Sequence, residues 1–120
     1  MSFERFAVVR VRFPFTDRAA TKNRPALVLS DAIAFNAPAG HSVMAMITSE
    51  DNPPWQLDCP LADLTAAGLP APSKVRFKLF TLDHRLVRGE LGELAPADVE
   101  HVSAGLDRLL GRPRDEGHEG

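Results

Sequence analysis

Polar and apolar residues alternate strictly at two places along the chain. From Val8 to Phe13, Val9, Val11 and Phe13 fall on one side and Arg10 and Arg12 on the other. From Lys74 to Phe80, Val75, Phe77 and Leu79 point inward and Lys74, Arg76 and Lys78 outward. A period of two is that of a half-buried strand. Ala26 to Leu29 is apolar without a break and predicts a central strand covered on both faces. Val43 to Thr48 predicts a third strand, and Trp55 to Leu57 and Arg85 to Val87 two short ones. Helical spacing appears in Val99, Val102, Leu106, Leu109 and Leu110, behind a Pro96 suited to a first helical turn. Ser30 or Asp31 is placed to cap a short helical turn through Asn36. Leu61 to Ala67 predicts a short helix stopped by Gly68. Ala37-Pro38-Ala39-Gly40 and the turn from Glu50 to Pro54, with its Pro53-Pro54 pair, interrupt regular structure.

Several short strands and one terminal helix predict a mainly β fold with short helices, a small, strongly bent antiparallel sheet or half-open barrel. A length of 120 residues suits one domain. It is expected over residues 1–110, because Gly111 to Gly120 holds no large apolar residue and predicts a disordered tail. The single cysteine, Cys59, excludes an internal disulfide and suits a reducing compartment. No apolar run is long enough for a membrane span, and the N-terminus lacks a leader pattern, so a cytoplasmic protein is expected.

A net charge of −2 conceals a strong segregation. Residues 1–30 carry six basic and two acidic side chains, and residues 74–89 five basic and one acidic. Residues 31–73 hold five acidic side chains and no basic ones, and residues 90–120 eight acidic and three basic. Both basic segments contain the alternating strands, so a positive face able to attract a polyanion can form on an acidic chain. Arg24 stands at the mouth of the central strand with Pro25 behind it. Proline fixes its own backbone and biases the preceding residue toward extended geometry, so Arg24 is presented rigidly. A guanidinium held this way can donate two parallel hydrogen bonds to a phosphate, or pair with a nearby carboxylate. The four histidines, at 41, 84, 101 and 118, are scattered, and His84 reads as a solvated turn residue. No cluster of His, Asp and Glu has ligand spacing, so neither a metal nor another cofactor is expected.

Four blocks carry a family resemblance: Phe13-Pro14-Phe15-Thr16-Asp17, Lys22-Asn23-Arg24-Pro25-Ala26-Leu27-Val28-Leu29, Met46-Ile47-Thr48-Ser49, and Ser73-Lys74-Val75-Arg76 through Thr81-Leu82-Asp83. In this order, over roughly residues 8 to 110, they resemble the MazF or PemK toxins, the RNA-cleaving half of bacterial toxin–antitoxin pairs. The resemblance implies an SH3-like barrel assembled as a homodimer. It implies metal-independent cleavage of single-stranded RNA by the neighbouring ribose 2′-hydroxyl, leaving a 2′,3′-cyclic phosphate and a 5′-hydroxyl. Arg24 would contact the scissile phosphate and assist proton transfer, and Thr48 would hydrogen-bond the phosphate or orient Arg24. Thr16, Asp17, Thr21, Lys22, Asn23, Trp55, Arg76 and Lys78 are candidate RNA contacts. Trp55 has two readings, a base-stacking platform or an anchor in a core or dimer interface. An acidic, partly disordered segment of a cognate antitoxin would compete for the same basic groove.

The chain also departs from the family pattern. Phe6-Ala7 replaces the usual Gly-Asp before the first strand. The first loop offers Asp17, Thr21 and Lys22 where some relatives have Glu or His. Phe77 and Phe80 stand near positions that carry a carboxylate and an arginine in some members. Proton transfer is the step these differences touch, and a same-fold toxin that grips another protein, as gyrase poisons do, or a silent family member are the alternatives.

Overall fold

In a computed structural model, residues 3–12 and 23–111 are described. Phe13, the loop candidates Thr16, Asp17, Thr21 and Lys22, and the tail from Arg112 lie outside them. Six strands form: β1 (Ala7–Arg12), β2 (Asn23–Val28), β3 (His41–Ser49), β4 (Cys59–Pro60), β5 (Ser73–Asp83) and β6 (Val87–Glu93). They make one antiparallel sheet in the order β4-β5-β3-β2-β1-β6, with β4 and β6 at its two edges, so the barrel stays open. A π-helical turn (Ala32–Asn36) runs into α1 (Ala37–Ala39); α2 (Leu64–Ala67) and α3 (Pro96–Leu110) follow. The mainly β architecture with a C-terminal helix is the one the pattern predicts.

The sheet separates two apolar clusters. One holds Val8, Leu27, Leu29, Ala45, Ile47, Val75 and Phe77 beneath α3, with Val99, Val102 and Leu106 packed on it. The other holds Val9, Val11, Ala26, Val28, Met44 and Leu82, with Met46 and Phe80 against it. The unbroken run of β2 therefore serves both cores, alternating between them as its period of two requires. The helical stripe is shorter than its spacing suggests. Leu109 and Leu110 are 40% and 69% exposed, and Leu109 lines a shallow cleft with Phe77 and Trp55.

Other departures have local causes. Ala45 pairs with Leu79 and Met46 with Arg76, so β5 carries two extra residues against one step of β3. This bulge bends the strand and leaves Leu79 exposed rather than inward. Lys74, expected outward, is buried by ion pairing described below. Trp55 to Leu57 is a turn instead of a strand: Asp58 accepts from the Trp55 amide at 2.9 Å, and Leu57 adopts φ +67°. The chain after Asp83 is a 3₁₀ turn (His84–Leu86), capped by the Asp83 carboxylate on the Arg85 amide, and the strand begins at Val87. His84 is a packing residue and not a solvated one: its Nε2 is 2.7 Å from the buried Ser42 hydroxyl, and its ring stands edge-on to Phe3. Asp31 is the residue that caps the turn through Asn36, accepting from the Ile33 and Ala34 amides. Helix α2 starts at Leu64 because Asp63 is its cap and the Leu61 amide still donates to Ser73 of β5. Gly68 ends α2 at φ +73°, and any Cβ there would stand 2.0 Å from the Leu91 carbonyl oxygen of β6.

Candidate active site

Register places the two residues predicted to do chemistry. In β2 and β3 the paired positions are Val28 with Met44, Leu27 with Ala45, and Ala26 with Met46. The Leu29 amide donates to Val43 at 2.8 Å, so the hydrogen-bonded pairs of this ladder continue through Leu27 and Ala45 toward Pro25 and Ile47. Proline has no N–H to give, and the pairing stops there. Beyond that last pair, alternation puts Arg24 of β2 and Thr48 of β3 on the same face as Ala26 and Met46. Pro25 thus biases Arg24 toward extended geometry and ends the β2–β3 ladder, while Arg24 stays paired with Val11 of β1 and Thr48 with Lys74 of β5.

Cα pairing and alternation together place the following residues on that face. Val11 pairs with Arg24, and Thr48 with Lys74. In one row Val9 pairs with Ala26, Ala26 with Met46, and Met46 with Arg76. Two donors, Arg24 and Thr48, stand over an apolar floor on the face opposite α3. Arg24 is exposed and has no hydrogen-bond or ion-pair partner among the described residues. Thr48 is half-buried, and its Oγ1 accepts from Asn52 Nδ2.

The cations of β5 are already engaged. Arg76 forms a two-pronged contact with Asp58, at 3.2 Å from Nε and 2.9 Å from Nη2, and also donates to the Pro53 carbonyl at 2.7 Å. Lys74 Nζ donates to the Asn52 carbonyl at 2.7 Å and lies 3.4 Å from Asp58. Burial alone would push the Asp58 carboxyl upward, but hydrogen bonds from Arg76, the Trp55 amide and Lys74 outweigh it and hold the group below its ordinary value. One carboxylate facing two cations leaves local positive charge. Lys78 Nζ sits 4.4 Å above the half-exposed Trp55 ring, and Arg76 5.9 Å from it.

Of the predicted contacts, Arg24 and Thr48 lie on one face, Arg76 pairs with Met46 on that face, and Lys78 meets Trp55 of the neighbouring loop. Asn23 alternates to the face opposite Arg24. Sequence reasoning missed three residues: Asp58, Lys74 as a buried group, and Asn52. A polar turn following a threonine-ended strand is the faint signal that could have pointed to Asn52. At the other end of β3, His41 Nε2 is 3.8 Å from Asp83, which also binds Arg85, so this second polar cluster is separate from the Arg24 face. Among the described residues, no three His, Cys, Asp or Glu side chains converge as ligands, and no helix is long and apolar enough to cross a membrane.

Residues 4–110 match the family model described as PemK-like, MazF-like toxin of type II toxin–antitoxin system. The chain belongs to this family. Its fold is shared with solved members. A MazF from Deinococcus radiodurans is 25% identical with a TM-score of 0.71, the match covering 92% of this chain and 98% of that one. A MazE–MazF complex from the same organism gives 24% and 0.74, covering 94% and 100%. An endoribonuclease in complex with its cognate antitoxin from a mycobacterial species gives 20% and 0.72, covering 94% and 97%. No curated protein matches in sequence.

Proposed function

We propose that this MazF-like toxin is a cytoplasmic endoribonuclease that cleaves single-stranded RNA by attack of a ribose 2′-hydroxyl on the adjacent phosphorus. The P–O5′ bond breaks, giving a 2′,3′-cyclic phosphate and a 5′-hydroxyl. Arg24 spreads the charge that builds on the non-bridging oxygens, and Thr48 donates a hydrogen bond to one of them. Charge stabilisation is the main part given to Arg24, with assistance to proton transfer secondary to it. Because the nucleophile comes from the substrate and the positive charge from arginine, the route needs no metal.

What supports this reading is that Arg24, whose side chain has no partner among the described residues, and the Thr48 hydroxyl lie at neighbouring strand ends on one face of the sheet. Protein binding alone would not call for that pair. Trp55, with Lys78 above it, is the base-stacking platform of the proposal, a contact worth about 1–3 kcal/mol. Arg76 acts there through the Asp58 network more than as a free phosphate ligand. A homodimer would cover part of the exposed apolar surface at Ile33, Leu79, Leu109 and Leu110, and an acidic antitoxin segment would inhibit by occupying the positive face. Incubation with a long single-stranded RNA in EDTA, followed by mapping of the ends, tests the chemistry. Cyclic phosphate ends are expected; activity that stops on chelation and returns with magnesium would exclude the mechanism.

A further inference from the structure

We propose that Asn52 is a positioning residue that turns the Thr48 hydroxyl hydrogen toward the scissile phosphate, and that Lys74 holds Asn52 in place. The inference rests on the reading of Thr48 as a phosphate-contacting hydroxyl. A hydroxyl has one hydrogen to donate and two lone pairs to accept with. Asn52 Nδ2 donates to Thr48 Oγ1 and so occupies a lone pair. The hydroxyl hydrogen then has no use on the Asn52 side and is left to point elsewhere. Thr48 and Arg24 lie on one face of the sheet, so an anion between them would meet two donors rather than a donor and a competing acceptor.

The backbone of Asn52, an exposed residue, is held on both sides. Its backbone N–H donates to the Ser49 carbonyl at 3.1 Å, closing the turn after β3. Its backbone carbonyl accepts from Lys74 Nζ at 2.7 Å, and the Lys74 side chain is only 8% exposed and lies 3.4 Å from Asp58. Lys74 is also the ladder partner of Thr48. A continuous set of contacts therefore runs from Asp58 through Lys74 and Asn52 to the Thr48 hydroxyl. Aspartate at position 52 would fill nearly the same space but accept instead of donate. It would draw the Thr48 hydrogen inward and place a negative charge beside the phosphate.

The test is a double-mutant cycle on RNA cleavage, with thermal unfolding of each variant to confirm folding. Thr48→Ala should lower kcat about 10²-fold. Asn52→Ala should lower kcat about tenfold with little change in KM, and the double variant should be no slower than Thr48→Ala alone. Asn52→Asp should be at least as slow as Thr48→Ala at neutral pH and regain activity as its carboxyl protonates. A further tenfold loss on adding Asn52→Ala to Thr48→Ala, an effect confined to KM, or full activity of Asn52→Asp would overturn the positioning role. Full activity of Thr48→Ala would instead show that the hydroxyl has no part in cleavage, and the role of Asn52 would fall with it.

Discussion

Replacing Asp98 by alanine should weaken the fold by a predictable amount while leaving the toxin's chemistry alone. Asp98 is the third residue of α3 and is 1% exposed. Its carboxylate accepts from the Ala62 amide at 3.0 and 3.2 Å and from the Asp63 amide at 3.0 Å. It thereby ties the start of α3 to the loop that enters α2. A hydrogen bond to a charged group contributes about 1.5–3 kcal/mol. Ala62 and Asp63 are exposed as residues, so water can reach their amides once the carboxylate is gone, and the lower end applies. Two bonds at that end give a loss of about 3 kcal/mol, a large fraction of a typical 5–15 kcal/mol. The isosteric Asp98→Asn keeps one oxygen acceptor but turns an NH₂ toward a donor, so roughly half that loss is expected. Urea unfolding reads both, with the midpoint falling and the slope against denaturant unchanged. Cleavage per folded molecule should stay at the wild-type level, because α3 packs on the face opposite Arg24 and Thr48. A loss below about 0.5 kcal/mol for Asp98→Ala, or an asparagine variant as unstable as the alanine one, would refute this account of the tie.

Two further outcomes follow from the same contacts. The Asp58 carboxyl is held below its ordinary 3.8 in the folded chain, so its contribution is intact above that pH and is lost as pH falls through the folded value. Wild-type stability should therefore drop more steeply than that of Asp58→Asn below about pH 4; equal slopes would contradict the pairing with Arg76 and Lys74. Gly105→Ala gains about 1 kcal/mol of helix propensity. Its Cβ, however, would stand 2.9 Å from the Phe77 ring and 3.2 Å from Cys59 Sγ. Overpacking of a filled core costs about 1–3 kcal/mol, so a net loss of roughly 1 kcal/mol is expected, and a stabilised variant would show that the Phe77 ring yields easily.

The parts of the fold visible in the sequence are those set by neighbours along the chain. Val99, Val102 and Leu106 mark α3, and Pro96 and Gly111 bracket it, because helix periodicity and end signals are local. The unbroken apolar run of β2 revealed a strand with a core on each side. What could not be read depends on distant partners. Lys74 looks like one of three outward cations until Asp58, sixteen positions earlier, is seen beside it. Leu79 follows the inward period, but the two-residue bulge in β5 is fixed by its pairing with β3. The short strand expected at Arg85 to Val87 begins only at Val87 and runs on to Glu93, a stretch with two glycines and two glutamates that pairing with β1 makes a strand. Arg24 and Thr48 were reached through family motifs, whereas Asn52 and Lys74 emerged only when the turn after β3 was seen folded against β5.

Arg24 is the residue on which RNA cleavage is expected to depend most. Purified wild-type protein, Arg24→Ala and Arg24→Lys should each be incubated with the same single-stranded RNA in EDTA, with the cleavage ends mapped and folding checked by thermal unfolding. Wild type should yield 2′,3′-cyclic phosphate and 5′-hydroxyl ends, the alanine variant should be inactive, and the lysine variant severely impaired because a point charge cannot reproduce a two-pronged phosphate contact. Undiminished cleavage by folded Arg24→Ala would contradict the assignment of this face as the site of RNA chemistry.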